Sequence, residues 1–325
     1  MGRVERAAQV LALAGRGSSW SRDFPWHGRP LADILAGRWG QHDMTAFVTI
    51  DGIDVPNFFY GTAWKEDRTA QLTEQALRAG FRAIDTANQR KHYFEEGVGQ
   101  GLRAFLQTGR LSRDDLFLQT KFTYARGQDH RKPYDPNASY TEQVEQSFAS
   151  SLQHLGVDRI DSYVLHGPFS QPGLTRADHE VWRAMEALHG SGKVRWIGVS
   201  NFQLEQLQEL LDVATVKPRF LQNRCYAALA WDRDIRDLCR ANGVWYQGFS
   251  LLTANRRELQ APLFDHLAEK YQRTVPQIVF RFAKQVGMIP LAGTTNEEHM
   301  RTDLDTDDFE LADAEVEQIE HIALR

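Results

Sequence analysis

Asp85, Lys121 and His166 each close a short run of β-forming residues, and each carries a side chain that can stabilise or move charge. Asp85 follows Ala83-Ile84, Lys121 follows Leu116–Thr120, and His166 follows Tyr163-Val164-Leu165. Polar residues end or follow similar runs elsewhere: Thr86, Ser200-Asn201, Gln222-Asn223, Ser250 after Phe249, and Gly293-Thr294-Thr295. A single Asp or Lys after a strand is usually a turn residue, and a lone His is usually a hydrogen-bonded core residue. Three such residues at successive strand ends are harder to dismiss. If the strands are parallel and closed, their ends converge on one pocket. There, an imidazole can orient a carbonyl oxygen and stabilise the charge it gains. A buried lysine can alternatively form a Schiff base, the chemistry of a barrel lyase or aldolase.

The elements that must position these residues are legible as a rhythm. After residue 44, β-rich runs alternate with amphipathic helices, the mark of βαβ units. Phe47–Ile50 enters the turn Asp51-Gly52, which predicts an opening hairpin. Eight strands are then predicted at Phe58–Thr62, Ala83–Thr86, Leu116–Lys121, Ser162–His166, Trp196–Ser200, Leu221–Tyr226, Trp245–Phe249 and Met288–Ala292. Thr69–Arg78 places Leu72, Ala76 and Leu77 on one helical face, and Thr141–Leu155 does the same with Val144, Phe148, Leu152 and Leu155. Gly80, Gly156, Gly192 and Gly243 stand just past helix ends, where a left-handed residue is wanted. Asp307–Ile322 reads as one extra C-terminal helix. The expected fold class is α/β, a (β/α)8 TIM barrel over residues 44–325, with an N-terminal β-hairpin and that extra helix. An open doubly wound sheet would place a Gly-rich turn after its first strand. Gly61-Thr62-Ala63-Trp64 is not one, and Gly97-Val98-Gly99-Gln100-Gly101 has the wrong spacing and reads as a helix start with small residues.

In this setting the sequence resembles the aldo-keto reductase family, from about residue 46 to 320. The resemblance rests on Ile84-Asp85-Thr86-Ala87, Thr120-Lys121, Val164-Leu165-His166 and Gly198-Val199-Ser200-Asn201-Phe202, in that order and in strand context. It implies a barrel that binds NADPH in extended form and reduces an aldehyde or ketone to an alcohol. It also implies a catalytic Asp, Tyr, Lys and His. Asp85, Lys121 and His166 match. The family's tyrosine position, five after the Asp, is Arg90. Reading Asn88–His92 as an expanded loop makes Tyr93 the proton donor; the competing reading gives that role to His92. A free phenol has a pKa near ~10, and a nearby ammonium lowers it. Lys121 would do this, held by Asp85.

The same resemblance implies cofactor contacts. Ser200, Asn201 and Gln222 match residues that hold the nicotinamide carboxamide, and Phe249 stands where a tyrosine usually stacks on the ring. Gly61, Thr62, Ser250 and Leu252 join the expected cofactor contacts. Gly293, Thr294 and Thr295 lead into a helix whose start suits an anion such as a 2′-phosphate, although ordinary capping explains the same pattern. His299 replaces a common phosphate-gripping Arg, Asp303 replaces an Asn that often meets adenine, and Arg301 is a possible compensation. NADPH is therefore the expected cofactor, with NADH not excluded. Trp64, Phe122 and Tyr124 are expected to wall the substrate pocket. Arg90-Lys91-His92 and His130-Arg131-Lys132 are expected at its mouth, favouring a small anionic carbonyl substrate. The short C-terminal segment implies an open pocket.

Composition narrows the classes. The 325 residues are 42% hydrophobic and 25% charged, with a formal net charge of −5, and no basic field suggests a nucleic-acid partner. Cys225 and Cys239 fit neither a zinc pattern nor a disulfide framework, so no metal is expected and a cytoplasmic location is the simplest. No apolar run is long enough to span a bilayer. Residues 1–43 lack sustained periodicity and read as an N-terminal extension. Besides the reductase and aldolase readings, a non-catalytic NADPH-binding regulator on the same fold is open. The substrate, the direction and the oligomeric state are not legible.

Overall fold

The computed structural model describes residues 46–324, so the extension at 1–43 lies outside the described residues. An antiparallel hairpin pairs β1 (Phe47–Ile50) with β2 (Ile53–Pro56). Eight parallel strands follow and close on themselves: β3 (Phe59–Gly61), β4 (Ala83–Asp85), β5 (Phe117–Phe122), β6 (Ile160–Leu165), β7 (Val194–Ser200), β8 (Phe220–Arg224), β9 (Trp245–Phe249) and β10 (Met288–Ala292). β10 pairs with both β9 and β3, which closes the barrel. The expected strands are all present, with ends that differ by a few residues.

The helices are α1 (Thr69–Ala79), α2 (Glu95–Leu106), α3 (Tyr140–Leu155), α4 (Arg176–Gly190), α5 (Leu204–Val213), α6 (Arg233–Ala241), α7 (Pro262–Tyr271), α8 (Val275–Gln285), α9 (Glu297–Leu304) and α10 (Asp313–Glu320). The extra C-terminal helix exists but starts at Asp313 rather than Asp307. Residues 307–312 follow α8 instead. Asp307 pairs with Lys284 at 2.6 Å, and the Leu311 amide donates to Gln285 Oε1 at 2.8 Å.

The barrel interior is layered because alternate strand residues point inward. At the bottom, Phe59, Ala83, Phe117, Trp196, Phe220 and Ile289 pack with Ile50 and Val55 of the hairpin, which plugs that end. Two residues further along, Gln119, Gln222 and Gln247 form a polar layer joined by amide hydrogen bonds of 2.8–3.1 Å. The outward residues Leu118 and Phe122 of β5 join the helical shell instead.

The glycine run belongs to the interior of α2 and has a packing cause. A Cβ on Gly99 would collide with the His154 carbonyl oxygen of α3, and one on Gly101 would lie 2.5 Å from the Ala70 carbonyl oxygen of α1. Close helix approach therefore selects glycine there.

Candidate active site

Asp85 is the last residue of β4, and Lys121 is two residues past Gln119 on the inward face of β5. Their parity and adjacent strands bring them together, with Lys121 Nζ 2.6 Å from Asp85 Oδ1. Lys121 is 0% exposed and also donates to the Thr86 carbonyl at 2.8 Å. Asp85 Oδ1 further accepts from Gln119 Nε2 at 2.8 Å and Gln222 Nε2 at 3.0 Å. Burial pushes the Lys121 ammonium down from its ordinary pKa, and the Asp85 carboxylate opposes this. A buried charge needs such pairing.

Tyr93 and His166 close over this pair. His166 immediately follows β6, and its amide donates to the Phe122 carbonyl at 2.9 Å. Tyr93 sits in the turn before α2, where its amide donates to the Gln89 carbonyl at 2.9 Å. The Tyr93 ring centre lies 5.4 Å from Lys121 Nζ and 5.8 Å from the His166 ring centre. Burial, and then the Asp85 charge, raise the Tyr93 phenol above its ordinary pKa. Burial holds His166 well below its ordinary pKa, assisted by Lys121 and His92, so the imidazole is neutral at pH 7. Thr123 Oγ1 stands 2.7 Å from His166 Nδ1. If Thr123 donates there, the ring proton is on Nε2. The arrangement is a neutral phenol and a neutral imidazole above a buried ion pair. Such a set can give a proton to an oxygen that gains charge, and hydrogen-bond it.

The loop from Thr86 to Phe94 is ordered by buried amides. Asn88 Nδ2 donates to the Ser147 carbonyl at 3.0 Å, and Gln128 Nε2 donates to the Asn88 carbonyl at 2.8 Å. His92 packs against Trp64 with ring centres 4.1 Å apart and planes tilted by 36°, and its Nδ1 lies 3.0 Å from Gln89 Oε1.

A cavity of about 1420 Å³ opens above these residues. Asp85, Tyr93 and His166 reach it, as do Trp64, His92, Tyr124, Gly61, Ser200, Asn201, Gln222, Phe249, Ser250, Leu252, Gly293, Thr294, His299 and Asp303. Asn201 and Ser250 occupy the left-handed conformation with φ of 58° at strand ends. Phe122, Thr62, Thr295 and Arg90 are not in the wall, unlike their expected positions. Phe122 points outward against Tyr124 and Tyr134. Thr62 is buried and donates to the Asp85 carbonyl at 2.9 Å. Arg90 lies over Phe94, 4.3 Å from the ring centre.

The cavity also includes residues that sequence reasoning missed, among them Lys65, Gln89, Arg126, Gln171, Gln203, Arg224 and Asp232. Lys65 donates to the Gly293 carbonyl across the barrel seam, and burial with nearby Arg68 lowers its pKa to about 8. Among the described residues no group of His, Cys, Asp and Glu is placed to hold a metal, and no helix is long and apolar enough to cross a membrane.

Comparison with known proteins agrees with this architecture. A family model described as the aldo/keto reductase family matches residues 58–324. Glyoxal reductase of Bacillus subtilis is 31% identical over 273 residues, covering 83% of this chain and 90% of that protein. D-galacturonate reductase of Fragaria ananassa is 31% identical over 288 residues, covering 82% of this chain and 84% of that protein. An aldo-keto reductase of Bombyx mori in complex with NADP superposes with a TM-score of 0.73 at 26% identity, covering 86% of this chain and 92% of that one. An aldo/keto reductase of Brucella melitensis superposes with a TM-score of 0.72 at 27% identity, covering 86% and 99%. A closed eight-stranded barrel, a family match across most of its length and relatives above 30% identity make this chain a member of the aldo/keto reductase family of oxidoreductases.

Proposed function

We propose that the protein reduces a small aldehyde or ketone to an alcohol, with NADPH as reductant and Tyr93 as proton donor. The observation that carries the reading is the Tyr93 ring set against both the Lys121 ammonium and the His166 imidazole. NADPH, when bound, would supply a hydride for the carbonyl carbon. Tyr93 gives its phenolic proton to the carbonyl oxygen. Lys121, held by Asp85, stabilises the phenolate left behind. His166 donates from Nε2 to the same oxygen and fixes its position. Burial keeps Tyr93 protonated at neutral pH, which suits the reductive direction.

The cavity supports a dinucleotide. Its volume exceeds the roughly 300–1,000 Å³ of ordinary single-ligand pockets, and it runs from Trp64 and His166 to His299 and Asp303. Ser200, Asn201 and Gln222 offer amide and hydroxyl groups for the carboxamide, and Phe249 offers a ring face. The far end is a weaker match to a 2′-phosphate. Asn296 Oδ1 already accepts from the Glu298 and His299 amides, at 2.8 and 3.3 Å. Arg301 pairs with Glu297, so it does not replace the missing family Arg. NADPH is the proposed cofactor on the likeness to aldo-keto reductases solved with NADP or NADPH, and the weak far end predicts that NADH is accepted less strongly but by a modest margin.

The aldolase alternative needs an accessible amine, whereas Lys121 is fully buried, ion-paired and absent from the cavity wall. The experiment is an NADPH fluorescence titration followed by a panel of carbonyl compounds. Tyr93→Phe is expected to lower kcat by about 10²–10⁴-fold, and His92→Ala to act mainly on KM. Undiminished turnover by Tyr93→Phe would remove the proposed donor, and tight NADPH binding without turnover of any compound would favour the regulator.

A further inference from the structure

The expectation of an anionic substrate rested on the segments Arg90-Lys91-His92 and His130-Arg131-Lys132, and the arginine of each is committed elsewhere. Arg90 is laid on Phe94 outside the cavity. Arg131 is held by Asp129 through both carboxylate oxygens and reaches back to the Arg90 carbonyl.

A different arginine, Arg126, lines the cavity. It lies in the short turn Ala125–Gly127 after β5, three residues past the Thr123 that contacts His166. Its guanidinium rests 5.0 Å from the Phe169 ring centre and donates one N–H to the Pro168 carbonyl. The platform beneath it is built. Phe169 packs edge-on against Tyr124, and Asp178 accepts from the Tyr124 hydroxyl at 2.9 Å and from the Phe169 amide. The other Asp178 oxygen accepts from the Thr175 amide and hydroxyl. Asp178 is thus saturated, and Arg126 forms no ion pair among the described residues. Of the carboxylates that do line the cavity, Asp85 is engaged by Lys121, Asp232 accepts from the Tyr246 hydroxyl, and Asp303 stands at the far end with His299.

We propose that Arg126 receives a carboxylate on the substrate, so that the preferred substrates are short carbonyl compounds bearing an acid group. This rests on the reductase reading above. A guanidinium has five N–H donors, and only one is committed here. Its planar fork matches a carboxylate with two parallel hydrogen bonds. The Pro168 carbonyl that anchors it is two residues past His166, a chain separation of at most ~7 Å. An acid group a few carbons from the reacting carbonyl therefore reaches Arg126 while the carbonyl oxygen meets His166. A carboxylate matches the single charge of Arg126, whereas a phosphate dianion would leave a second charge that this one guanidinium does not neutralise.

The test compares 4-oxobutanoate with butanal, and glyceraldehyde 3-phosphate with glyceraldehyde, on the full chain. The wild type is expected to prefer 4-oxobutanoate over butanal by about 10–100-fold in kcat/KM, expressed in KM, as one charge-assisted bidentate contact allows. Arg126→Gln is expected to lower that ratio at least tenfold, and Arg126→Lys to retain part of it. Arg131→Gln should leave the ratio and the turnover of butanal unchanged. A ratio unaltered in Arg126→Gln overturns the proposal, as does an equal loss for both aldehydes. A larger preference for the phosphorylated aldehyde, abolished by Arg126→Gln, overturns the carboxylate assignment. Failure to turn over any aldehyde would count against the reductase reading. Calorimetric binding of butanoate, present in the wild type and lost in Arg126→Gln, tests Arg126 independently of turnover.

Discussion

Asp303 is 6% exposed and accepts no hydrogen bond among the described residues. Burial alone pushes its carboxyl up to about 7, against roughly 3.9 in an unfolded chain. An acid whose folded pKa is raised contributes stability that is full below the unfolded pKa and lost as pH rises through the folded one. The window is therefore about pH 4 to 7. Asp303→Asn cannot ionise, so its melting temperature relative to wild type should climb across that window and level off above about pH 8. Thermal melts at pH 5, 6, 7 and 8 read this directly, and a constant difference would refute it. On the proposed cofactor reading, the same residue faces the adenine end of the cavity. Its neutral form can donate a hydrogen bond there, which the carboxylate cannot.

Close contact among α1, α2 and α3 sets the position of the loop that carries Tyr93, because that loop leads into α2. Gly99 is the tightest point: the obstacle to a Cβ is backbone, the His154 carbonyl oxygen, which cannot rotate away. Gly99→Ala should therefore destabilise the fold by at least the 1–3 kcal/mol typical of overpacking. Urea denaturation checks this, and an unchanged midpoint would mean that the helices can separate cheaply. The sequence showed glycines here without the reason, since periodicity reports a helix face but not how near a neighbouring backbone comes. Other misses have equally local causes. Phe122 was placed in the pocket, yet strand parity forbids it once Gln119 and Lys121 point inward. That signal was present in the alternation of β5. The start of α10 was obscured because residues 307–312, Asp-Asp-Phe-Glu-Leu-Ala, mix charged and apolar residues as a helix would, and are held instead by contacts to α8. Arg126 was not legible at all. Which of several basic loop residues reaches the cavity depends on the path of the loop, and residue type carries no record of that path. Asp85, Lys121 and His166 were legible because a closed parallel barrel brings the ends of β4, β5 and β6 together.

Across the whole molecule, the layered interior separates stability from the proposed chemistry. The hairpin and the six bottom residues form an apolar plug, the glutamines form a bridge, and the phenol and imidazole occupy the top. Phe220 belongs to the plug: it is fully buried, with ring centres 5.8 Å from Phe117 and 5.9 Å from Trp196. Truncating it removes that packing and leaves a cavity, a loss of about 3–5 kcal/mol for Phe→Ala. The effect on the site is indirect, because Gln222, two residues further along β8, is tied to Asp85 and Gln247 by its own hydrogen bonds. Phe220→Ala should therefore lower the denaturation midpoint strongly while kcat/KM of the folded enzyme stays within about threefold, well under the tenfold that 1.4 kcal/mol represents. Equilibrium unfolding in urea and steady-state kinetics well below the unfolding transition measure the two quantities separately. If kcat/KM falls with stability in fully folded protein, the polar layer transmits disorder from the plug to the ion pair, and the barrel floor is part of the active-site machinery.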